Sequence, residues 1–268
     1  MKTIGFYSPY KHLPDFSKFV ESNFNCIELK NSKPDKCDFI FYAPNYAKFI
    51  LTDEHLKGTN VKAILTPSTG KNHIEVSSVP IYDINSNAIL ENIYSTAEHN
   101  IYLCLHITRQ VTPIVELKES VIGILGYGRL GRMIETIGKN LFKKVEVKDV
   151  LFSTGKFFET TDFLSININY TKGNIKFVNR EFISKFNKNI FIINTSRGEV
   201  VNEEDILELV KEGKVLGYAT DVLTDEHLNT TPFLLREANN KVVITPHIGG
   251  TAIQAQEKAY REVLNYIL

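Results

Sequence analysis

The stretch from Val121 to Ile134 constrains the fold of this chain more than any other. It begins with apolar, β-prone residues and leads through Gly126, Gly128 and Gly131 into a helical pattern that starts near Arg129. Gly126 permits a tight turn out of the strand, Gly128 lets a pyrophosphate approach the backbone, and Gly131 lets the helix lie close to the strand. The helix N-terminus offers unpaired N–H groups and a partial positive charge to that anion. The stretch therefore predicts a strand, a phosphate-binding turn and a helix.

A second strand and an acidic residue follow this helix at the spacing that dinucleotide binding requires. The apolar alternation Val145–Lys148 ends at Asp149, eighteen residues after Gly131. About 20 residues are expected before the acid that bonds the adenosine ribose hydroxyls. The alternative is a glycine-rich turn followed by a solvated acid, but the order of strand, helix, strand and acid favours a nucleotide. Asp149 favours NAD over NADP, because it would repel a 2′-phosphate. The nearby Lys148 and Lys156 keep NADP as the less favoured cofactor.

The composition excludes several classes of function. Basic and acidic side chains number 31 each, so no charge excess indicates nucleic acid or an anionic membrane as a partner. The cysteines, Cys26, Cys37 and Cys104, have no C-x-x-C spacing, so we expect buried thiols of a reducing compartment and no metal site. No segment approaches the roughly 18 apolar residues of a membrane span, and the first residues lack the apolar core of a signal peptide. We therefore expect a cytoplasmic protein.

Short β-prone runs alternate with helical patterns along two successive units of the chain. The runs predicted as strands are Thr3–Tyr7, Cys26–Leu29, Phe39–Tyr42, Val61–Leu65, Val121–Leu125, Val145–Lys148, Phe163–Ile168, Ile190–Asn194, Leu216–Ala219 and Val242–Ile244. Such alternation predicts mostly parallel, doubly wound sheets. Ala88–Ile107 is predicted as one long buried helix on which His99 and His106 pack or cap, and Thr251–Leu268 as a final helix that returns to the first unit.

Three polar clusters follow predicted strands of the second unit. They are Asn194–Gly198, Asp221–Glu226 and Thr245–Gly250. Because ligands bind at the carboxyl ends of the strands in doubly wound sheets, an arginine, a carboxylate and a histidine are predicted to converge there. Hydride transfer to a 2-oxo acid requires such groups: a guanidinium that binds the carboxylate, an imidazole that gives its proton to the carbonyl oxygen, and a carboxylate that fixes the imidazole tautomer.

Each of these residues also has a structural interpretation. Arg197 could be a surface arginine, Glu226 lies in the charged run Asp225–His227, and His247 could be a hydrogen-bonded structural histidine. Their shared position at strand ends favours a functional interpretation.

The chain resembles the D-isomer-specific 2-hydroxyacid dehydrogenases over nearly its whole length. The motifs that carry the resemblance are Thr69–Glu75, Thr96–Glu98, Gly123–Gly131, Ser165–Thr171, Ile193–Asn202, Asp221–Val222 and Pro246–Gly249. The resemblance implies an α/β fold with two doubly wound parallel-sheet domains. A Rossmann NAD-binding domain would comprise residues 91–248, and a smaller flavodoxin-like substrate domain would comprise residues 1–90 plus 249–268.

The resemblance also implies an activity and a site. The chain would interconvert a small 2-oxo acid and its D-2-hydroxy acid with NAD, with His247 as the acid/base, Glu226 as its partner and Asp221 near the nicotinamide carboxamide. The residues implied to bind the substrate are Ser68, Thr69, Gly70 and Arg197. The residues implied or predicted to bind the cofactor are Gly126, Tyr127, Gly128, Arg129, Leu130, Gly131, Asp149, Asn167, Thr195, Arg197, Asp221, His247 and Gly249.

Three positions depart from the pattern of the family. His227 and Asn169 stand where prolines are usual, and Gln110–Ser120 replaces a longer segment, containing tryptophan, that helps to hold the dimer. The sequence therefore does not decide whether the chain forms a homodimer. An alternative function also stays open, because the resemblance extends to corepressors that use the same fold as an NAD(H)-binding scaffold with little turnover. The set of Arg197, Glu226 and His247 favours the enzyme.

Overall fold

The computed structural model describes residues 1–46, 49–85, 88–112, 114–224, 226 and 232–268, without the side chains of Asn45 and Leu235. The described chain forms two compact units. One unit holds Met1–Ile93 and Gly250–Leu268, and the other holds Tyr94–Glu226 and residues 232–249. The assignment of residues 1–90 plus 249–268 as the substrate domain, and of residues 91–248 as the nucleotide domain, stays a prediction.

The first unit is built on a parallel sheet. Its strands are β1 (Thr3–Phe6), β2 (Asn25–Glu28), β3 (Phe39–Phe41), β5 (Ala63–Leu65) and β7 (Ile81–Tyr82), and a separate short pair is formed by β4 (Leu51–Thr52) and β6 (Ile74–Glu75). Within the described residues the sheet order is β2-β1-β3-β5-β7, which is the flavodoxin-like order 2-1-3-4-5 when these five strands are counted along the chain. The predicted flavodoxin-like sheet is therefore confirmed.

Both faces of this sheet are covered, which explains why its central strands β3 and β5 are apolar and buried at every position. Side chains alternate across the sheet, so that Phe39 and Phe41 pack in one core while Ile40 packs in the other. The helices of this unit are α1 (Pro14–Asn23), α2 (Asp53–Leu56) and α9 (Ile253–Leu264). Ala259 and Val263 of α9 join the core that contains Phe41. The C-terminal helix thus packs in the first unit, as its apolar periodicity predicts.

The predicted long helix Ala88–Ile107 is wrong. A 3-10 helix spans Ala88–Asn92, and the α-helix α3 begins only at Ser95 and ends at Gln110. Leu90 packs in the core of the first unit, whereas Ala97 and Cys104 pack in a core of the second. The four-residue apolar period runs through both segments because each must bury one face, and the period alone does not reveal that the faces belong to different cores.

The second unit is built on a larger parallel sheet. Its strands are β8 (Val121–Leu125), β9 (Lys144–Lys148), β10 (Phe163–Ile166), β11 (Ile190–Asn194), β12 (Val215–Thr220) and β13 (Val242–Ile244). In the part of the chain that is described, their order is β13-β12-β11-β10-β8-β9. The chain reverses direction across the sheet between β8 and β10, and ligands bind at the carboxyl ends of strands at such a switch point.

Helices cover both faces of this sheet. They are α3, α4 (Arg129–Leu141), α5 (Phe157–Thr160), α6 (Arg180–Ser184), α7 (Glu203–Lys211) and α8 (Phe233–Glu237). Leu164 packs on one face and Phe163 on the other, so the sheet is doubly wound, as predicted. The predicted bounds of β8, β11 and β13 are confirmed, whereas those of β9, β10 and β12 are off by one or two residues. For example, β10 ends at Ile166 and not at Ile168, because its partner β8 ends where Gly126 turns the chain.

Two further expectations concern cysteines and membranes. Cys37 and Cys104 are buried, but Cys26 is only partly buried, because it lies on the edge strand β2. Among the described helices, none is both long and apolar enough to cross a membrane.

Candidate active site

The glycine-rich turn after β8 has the shape of a phosphate cradle. Gly126 adopts a φ of +94°, and a Cβ there would lie 2.7 Å from the backbone carbon of Asn167. A Cβ on Gly131 would overlap the carbonyl oxygen of Gly126, so the first turn of α4 packs directly on the loop. At Gly128, by contrast, a Cβ would meet nothing within 4 Å. The open space therefore lies where a pyrophosphate would approach the N-terminus of α4.

Asp149 lies beside this cradle. Its Oδ2 accepts a hydrogen bond from the backbone N–H of Tyr127 at 2.6 Å, and its Oδ1 accepts one from Val150 at 2.8 Å. The ammonium of Lys148 lies 5.4 Å from the ring centre of Phe158 and is therefore engaged there. The strand end thus presents a carboxylate next to the glycine turn, which fits ribose hydroxyls.

A buried polar network follows β10 and β11. Asn167 donates from Nδ2 to the Oγ of Ser165 at 2.9 Å, and Ser165 donates to Asn100 Oδ1 at 3.0 Å. Asn100 in turn donates to the Oγ1 of Thr195 at 2.9 Å. The Oδ1 of Asn167 is buried and has no partner among the described residues. Because an unsatisfied buried acceptor is costly, this atom fits a donor supplied by a bound cofactor.

His247 and Glu226 form a hydrogen-bonded pair. The Nδ1 of His247 lies 2.6 Å from the Oε1 of Glu226, and the two side chains are only 21% and 14% exposed. The Oε2 of Glu226 accepts a hydrogen bond from the backbone N–H of Leu223 at 3.1 Å. The backbone of His247 adopts a φ of +53°, in the left-handed region that non-glycine residues rarely adopt. The pair fixes the ring and leaves Nε2 as the nitrogen that can exchange a proton with a ligand.

Arg197 lies next to this pair. Its guanidinium donates a hydrogen bond to the carbonyl oxygen of Ser196 at 2.6 Å. The Nδ2 of Asn194 donates one to the carbonyl oxygen of Arg197 at 2.9 Å. Burial lowers the pKa of Arg197, and the negative charges of Glu226 and Glu199 partly offset that shift. An arginine remains a cation under these conditions, so a partly buried positive charge is available for an anionic ligand.

Gly198 sets the spacing between the loops that carry these groups. A Cβ at this position would overlap the backbone of Leu223 and Thr224. The loop after β11, which carries Arg197, therefore lies against the loop after β12, which leads to Glu226. The structure brings the predicted arginine, carboxylate and histidine together within the second unit.

Asp221 is almost fully buried, with 3% of its surface exposed, and is held by several donors. Its Oδ1 accepts from the Oγ1 of Thr245 at 2.5 Å and from the N–H of Ile248 at 2.9 Å, while its Oδ2 accepts from the N–H of Gly249 at 2.7 Å. Burial pushes the pKa of Asp221 upward, but the hydrogen bonds from His99, Thr245 and these N–H groups outweigh it and lower the pKa. The carboxylate is therefore ionised at neutral pH.

The position of His99 in the site could not be predicted from the sequence. Its Nε2 lies 2.9 Å from the Oγ1 of Thr245 and 3.3 Å from Asp221 Oδ1, so it joins the site and does not merely pack on α3. The contact partners are 146 residues apart in the chain, and no local pattern signals such a contact. Asn100 was missed for the same reason. Its only local sign is a polar residue on the apolar face of α3.

The other predicted substrate residues lie in the first unit, in the loop after β5. The backbone N–H of Gly70 donates to the Oγ of Ser68 at 3.1 Å, and Lys71 forms an ion pair with Asp83 at 2.8 Å. This unit also contains an open cavity of about 760 Å³ at the carboxyl end of β1. Tyr7 and Ser8 line it together with further aromatic side chains, namely Tyr10, Tyr42, Tyr46 and Phe49.

Two points from the sequence remain, namely the departure at His227 and the expectation that there is no metal site. Asp225 and His227 lie outside the described residues, so the departure at His227 stays a sequence observation. Across the described ranges, no group of three or more histidine, cysteine, aspartate or glutamate side chains could hold a metal ion.

The sequence of this chain is similar to those of known proteins. The model of the D-isomer specific 2-hydroxyacid dehydrogenase, NAD binding domain, matches residues 87–249. A glyoxylate reductase of Thermofilum pendens is 28% identical over 236 residues, which cover 74% of this chain and 68% of that protein. An aromatic 2-oxoacid reductase of Clostridium sporogenes is 26% identical over 236 residues, which cover 73% of this chain and 71% of the relative.

Solved structures show the same fold. A cofactor-bound 3-phosphoglycerate dehydrogenase of Entamoeba histolytica superposes with a TM-score of 0.80 at 20% identity, covering 99% of this chain and 94% of that one. A D-lactate dehydrogenase of Aquifex aeolicus, complexed with NAD and lactic acid, superposes with a TM-score of 0.79 at 20% identity and the same coverage.

Proposed function

Because the chain belongs to the D-isomer specific 2-hydroxyacid dehydrogenase family, whose cofactor is NAD, we propose that it interconverts a small 2-oxo acid and its D-2-hydroxy acid. The observation that carries the proposal is the short contact between His247 Nδ1 and Glu226 Oε1, with the partly buried cation of Arg197 close enough for its charge to interact with that of Glu226. A proton donor, its orienting carboxylate and an anion-binding group are what reduction of a 2-oxo acid requires.

Several residues of the second unit have a geometry that fits NAD, and we assign the cofactor to them. The cradle of Gly126, Gly128 and Gly131 would hold the pyrophosphate at the start of α4, and Asp149 would bind the ribose hydroxyls. Asn167 offers its free Oδ1 to a donor of the bound nucleotide. When bound, NAD supplies or accepts the hydride.

The side chains of the site carry the remaining steps. Arg197 binds the substrate carboxylate through two parallel hydrogen bonds, and the backbone of Ser68–Gly70 is assigned to the same carboxylate by resemblance. In the reductive direction the Nε2 of His247 would give its proton to the carbonyl oxygen of the substrate. Glu226 accepts from Nδ1, which keeps the ring oriented.

The alternative, an NAD(H)-binding scaffold with little turnover, has less support. A scaffold needs the nucleotide cradle but has no need for an arginine near an oriented histidine. The geometry around His247 therefore favours turnover over a purely nucleotide-gated binding role.

Several considerations guide the choice of substrates for a test. The relatives include a glyoxylate reductase and an aromatic 2-oxoacid reductase. The cavity of the first unit is lined by aromatic rings and also by the charged side chains of Lys11, Glu28 and Lys30. The panel should therefore pair glyoxylate, pyruvate and hydroxypyruvate with phenylpyruvate.

The test is NADH oxidation by the purified protein with each acid, beside His247→Ala. Turnover of one acid that falls roughly 10²–10⁴-fold in the variant supports both the reaction and the role of His247. Equal turnover in the variant would overturn the assigned role. No turnover of any acid, together with tight NADH binding, would favour the scaffold.

A further inference from the structure

Helix α3 contacts both ends of the short loop that carries His247. Ser95 and His99 are four residues apart and therefore lie on one face of the helix. The Oγ of Ser95 donates to the carbonyl oxygen of Gly249 at 2.6 Å, and the Nε2 of His99 lies 2.9 Å from the Oγ1 of Thr245. The two contacts bracket His247, with one on each side of it in the sequence.

The hydrogen-bond directions in this cluster follow from the chemistry of its members. An ionised carboxylate only accepts, so the hydroxyl of Thr245 donates its one hydrogen to Asp221, 2.5 Å away. The oxygen of Thr245 must therefore accept from His99, and Nε2 of His99 carries a proton. Asp221 also accepts from the backbone N–H groups of Ile248 and Gly249. A continuous chain of hydrogen bonds thus runs from α3 into the backbone on both sides of His247.

The loop has a conformation that needs such support. His247 has a φ of +53°, and strained backbone of this kind persists only where its surroundings over-determine it. The packing leaves little room for adjustment. A Cβ on Gly249 would lie 2.9 Å from Asp221 Oδ2 and 3.5 Å from the Cδ2 of His99.

We propose that Ser95 and His99 are positioning residues for His247, and that helix α3 is the platform that holds residues 245–249 in the conformation needed for proton transfer. The proposal rests on the acid/base role proposed for His247. It adds a function for the N-terminal turns of α3 that the cofactor cradle does not explain.

The test compares His99→Gln with His99→Phe. Gln can place an amide N–H near the position of Nε2 and so keeps the donor to Thr245, whereas Phe keeps a ring of similar size without a donor. Ser95→Ala is an independent variant that removes the contact with Gly249. The matched control is His106→Phe, because His106 lies on the same helix and its Nδ1 contacts the hydroxyl of Tyr102, 3.2 Å away.

The expected result is a fall in kcat of up to roughly 10²-fold for His99→Phe, the size associated with misplacement of a reacting group by about 1 Å. KM for NADH should change little, His99→Gln should recover most of the rate, and Ser95→Ala should show a smaller loss of kcat. His106→Phe should behave as wild type. In a His247→Ala background, His99→Phe should have no further effect on turnover, because the residue it positions is already absent.

A second readout needs no turnover, so it separates failure of this proposal from failure of the proposed function. Amide hydrogen exchange at Ile248 and Gly249 should be faster in His99→Phe than in wild type and should return to the wild-type rate in His99→Gln, at an unchanged melting temperature. Unchanged exchange at both amides would overturn the proposal. So would a rise in KM for NADH at constant kcat, because it would place the effect on cofactor binding through Asp221.

Discussion

The Nδ1 of His247 and the Oε1 of Glu226 lie 2.6 Å apart, although their residues follow different strands of the sheet. A carboxylate in this position removes one of the two ways in which the neutral ring could carry its proton. The nitrogen that faces away from Glu226 is then the one available for chemistry. The contact therefore determines which atom of the histidine reacts.

Replacement of Glu226 by Gln should lower kcat strongly while leaving NADH binding in place. The amide can present its N–H to Nδ1 and so stabilise the wrong tautomer, and it cannot stabilise the protonated ring. We expect a loss within the roughly 10²–10⁴-fold range of general acid–base catalysis. Steady-state kinetics and an NADH titration measure the two effects, and Glu237→Gln, at an exposed position on α8, is the control. A Glu226→Gln enzyme with wild-type kcat would contradict the orienting role.

Replacement of Arg197 by Lys should act mainly on the oxo acid. Lysine keeps the charge but loses the planar fork, so one of two hydrogen bonds to the carboxylate is lost. A hydrogen bond to a charged group contributes about 1.5–3 kcal/mol, and we expect kcat/KM for the acid to fall correspondingly. Arg180→Lys is the matched control, because Arg180 makes a two-point contact with the exposed Glu212. Unchanged kcat/KM in Arg197→Lys would argue against a carboxylate-binding fork.

Asp149 should determine the choice between the two nicotinamide cofactors. Its carboxylate would repel a 2′-phosphate, and Lys148 is engaged over Phe158. The wild-type ratio of kcat/KM for NADH to that for NADPH should be well above one and should fall in Asp149→Ser. A wild-type preference for NADPH would refute this assignment.

Two glycines of the cradle should respond differently to alanine. Gly128 has φ −73° and ψ −159°, which alanine adopts readily, and its Cβ would enter open space. Gly128→Ala should therefore keep its melting temperature and lose NADH affinity, because the added methyl group occupies the place of the pyrophosphate. Gly131→Ala, the matched comparison, should lose about 1–3 kcal/mol of folding stability from overlap with Gly126. Calorimetry and NADH titration distinguish them, and tight NADH binding by Gly128→Ala would contradict the cradle.

Asp221 should make folding stability depend on pH in the acid range. Its folded-state pKa lies below the value of about 3.9 for an unfolded aspartate. Its ionised form therefore stabilises the fold above that pH, and the contribution is lost as the pH falls through the folded pKa. Asp221→Asn should be less stable than wild type near neutrality, and the gap should narrow below about pH 4. Urea unfolding across this range measures the gap, and a constant gap would count against the linkage.

The cradle could be predicted from the sequence because its physical requirements are local. Gly126, Gly128 and Gly131 lie within six residues, and the strand, turn and helix around them are neighbours in the chain. Asp149 could be placed because a single strand–helix–strand unit fixes its spacing. For these residues, the spacing in the sequence is enough to predict the local geometry.

The surroundings of the active site could not be predicted in this way. His99 and Thr245 meet only because α3 packs near the end of β13, and a seven-residue spacing to His106 carried no sign of this. The break at Ile93 and Tyr94 was hidden for a related reason. An apolar period indicates that one face is buried, but it does not indicate in which core that face packs.

Gly198 limits how the spacing of the site can change by substitution. Every amino acid other than glycine has a Cβ, and a Cβ here would overlap the backbone of Leu223. No single substitution at this codon can therefore alter the spacing between the arginine loop and the glutamate loop by a small amount. Gradual changes of the substrate range must therefore arise at other positions, because any substitution of Gly198 would disrupt the contact between the two loops.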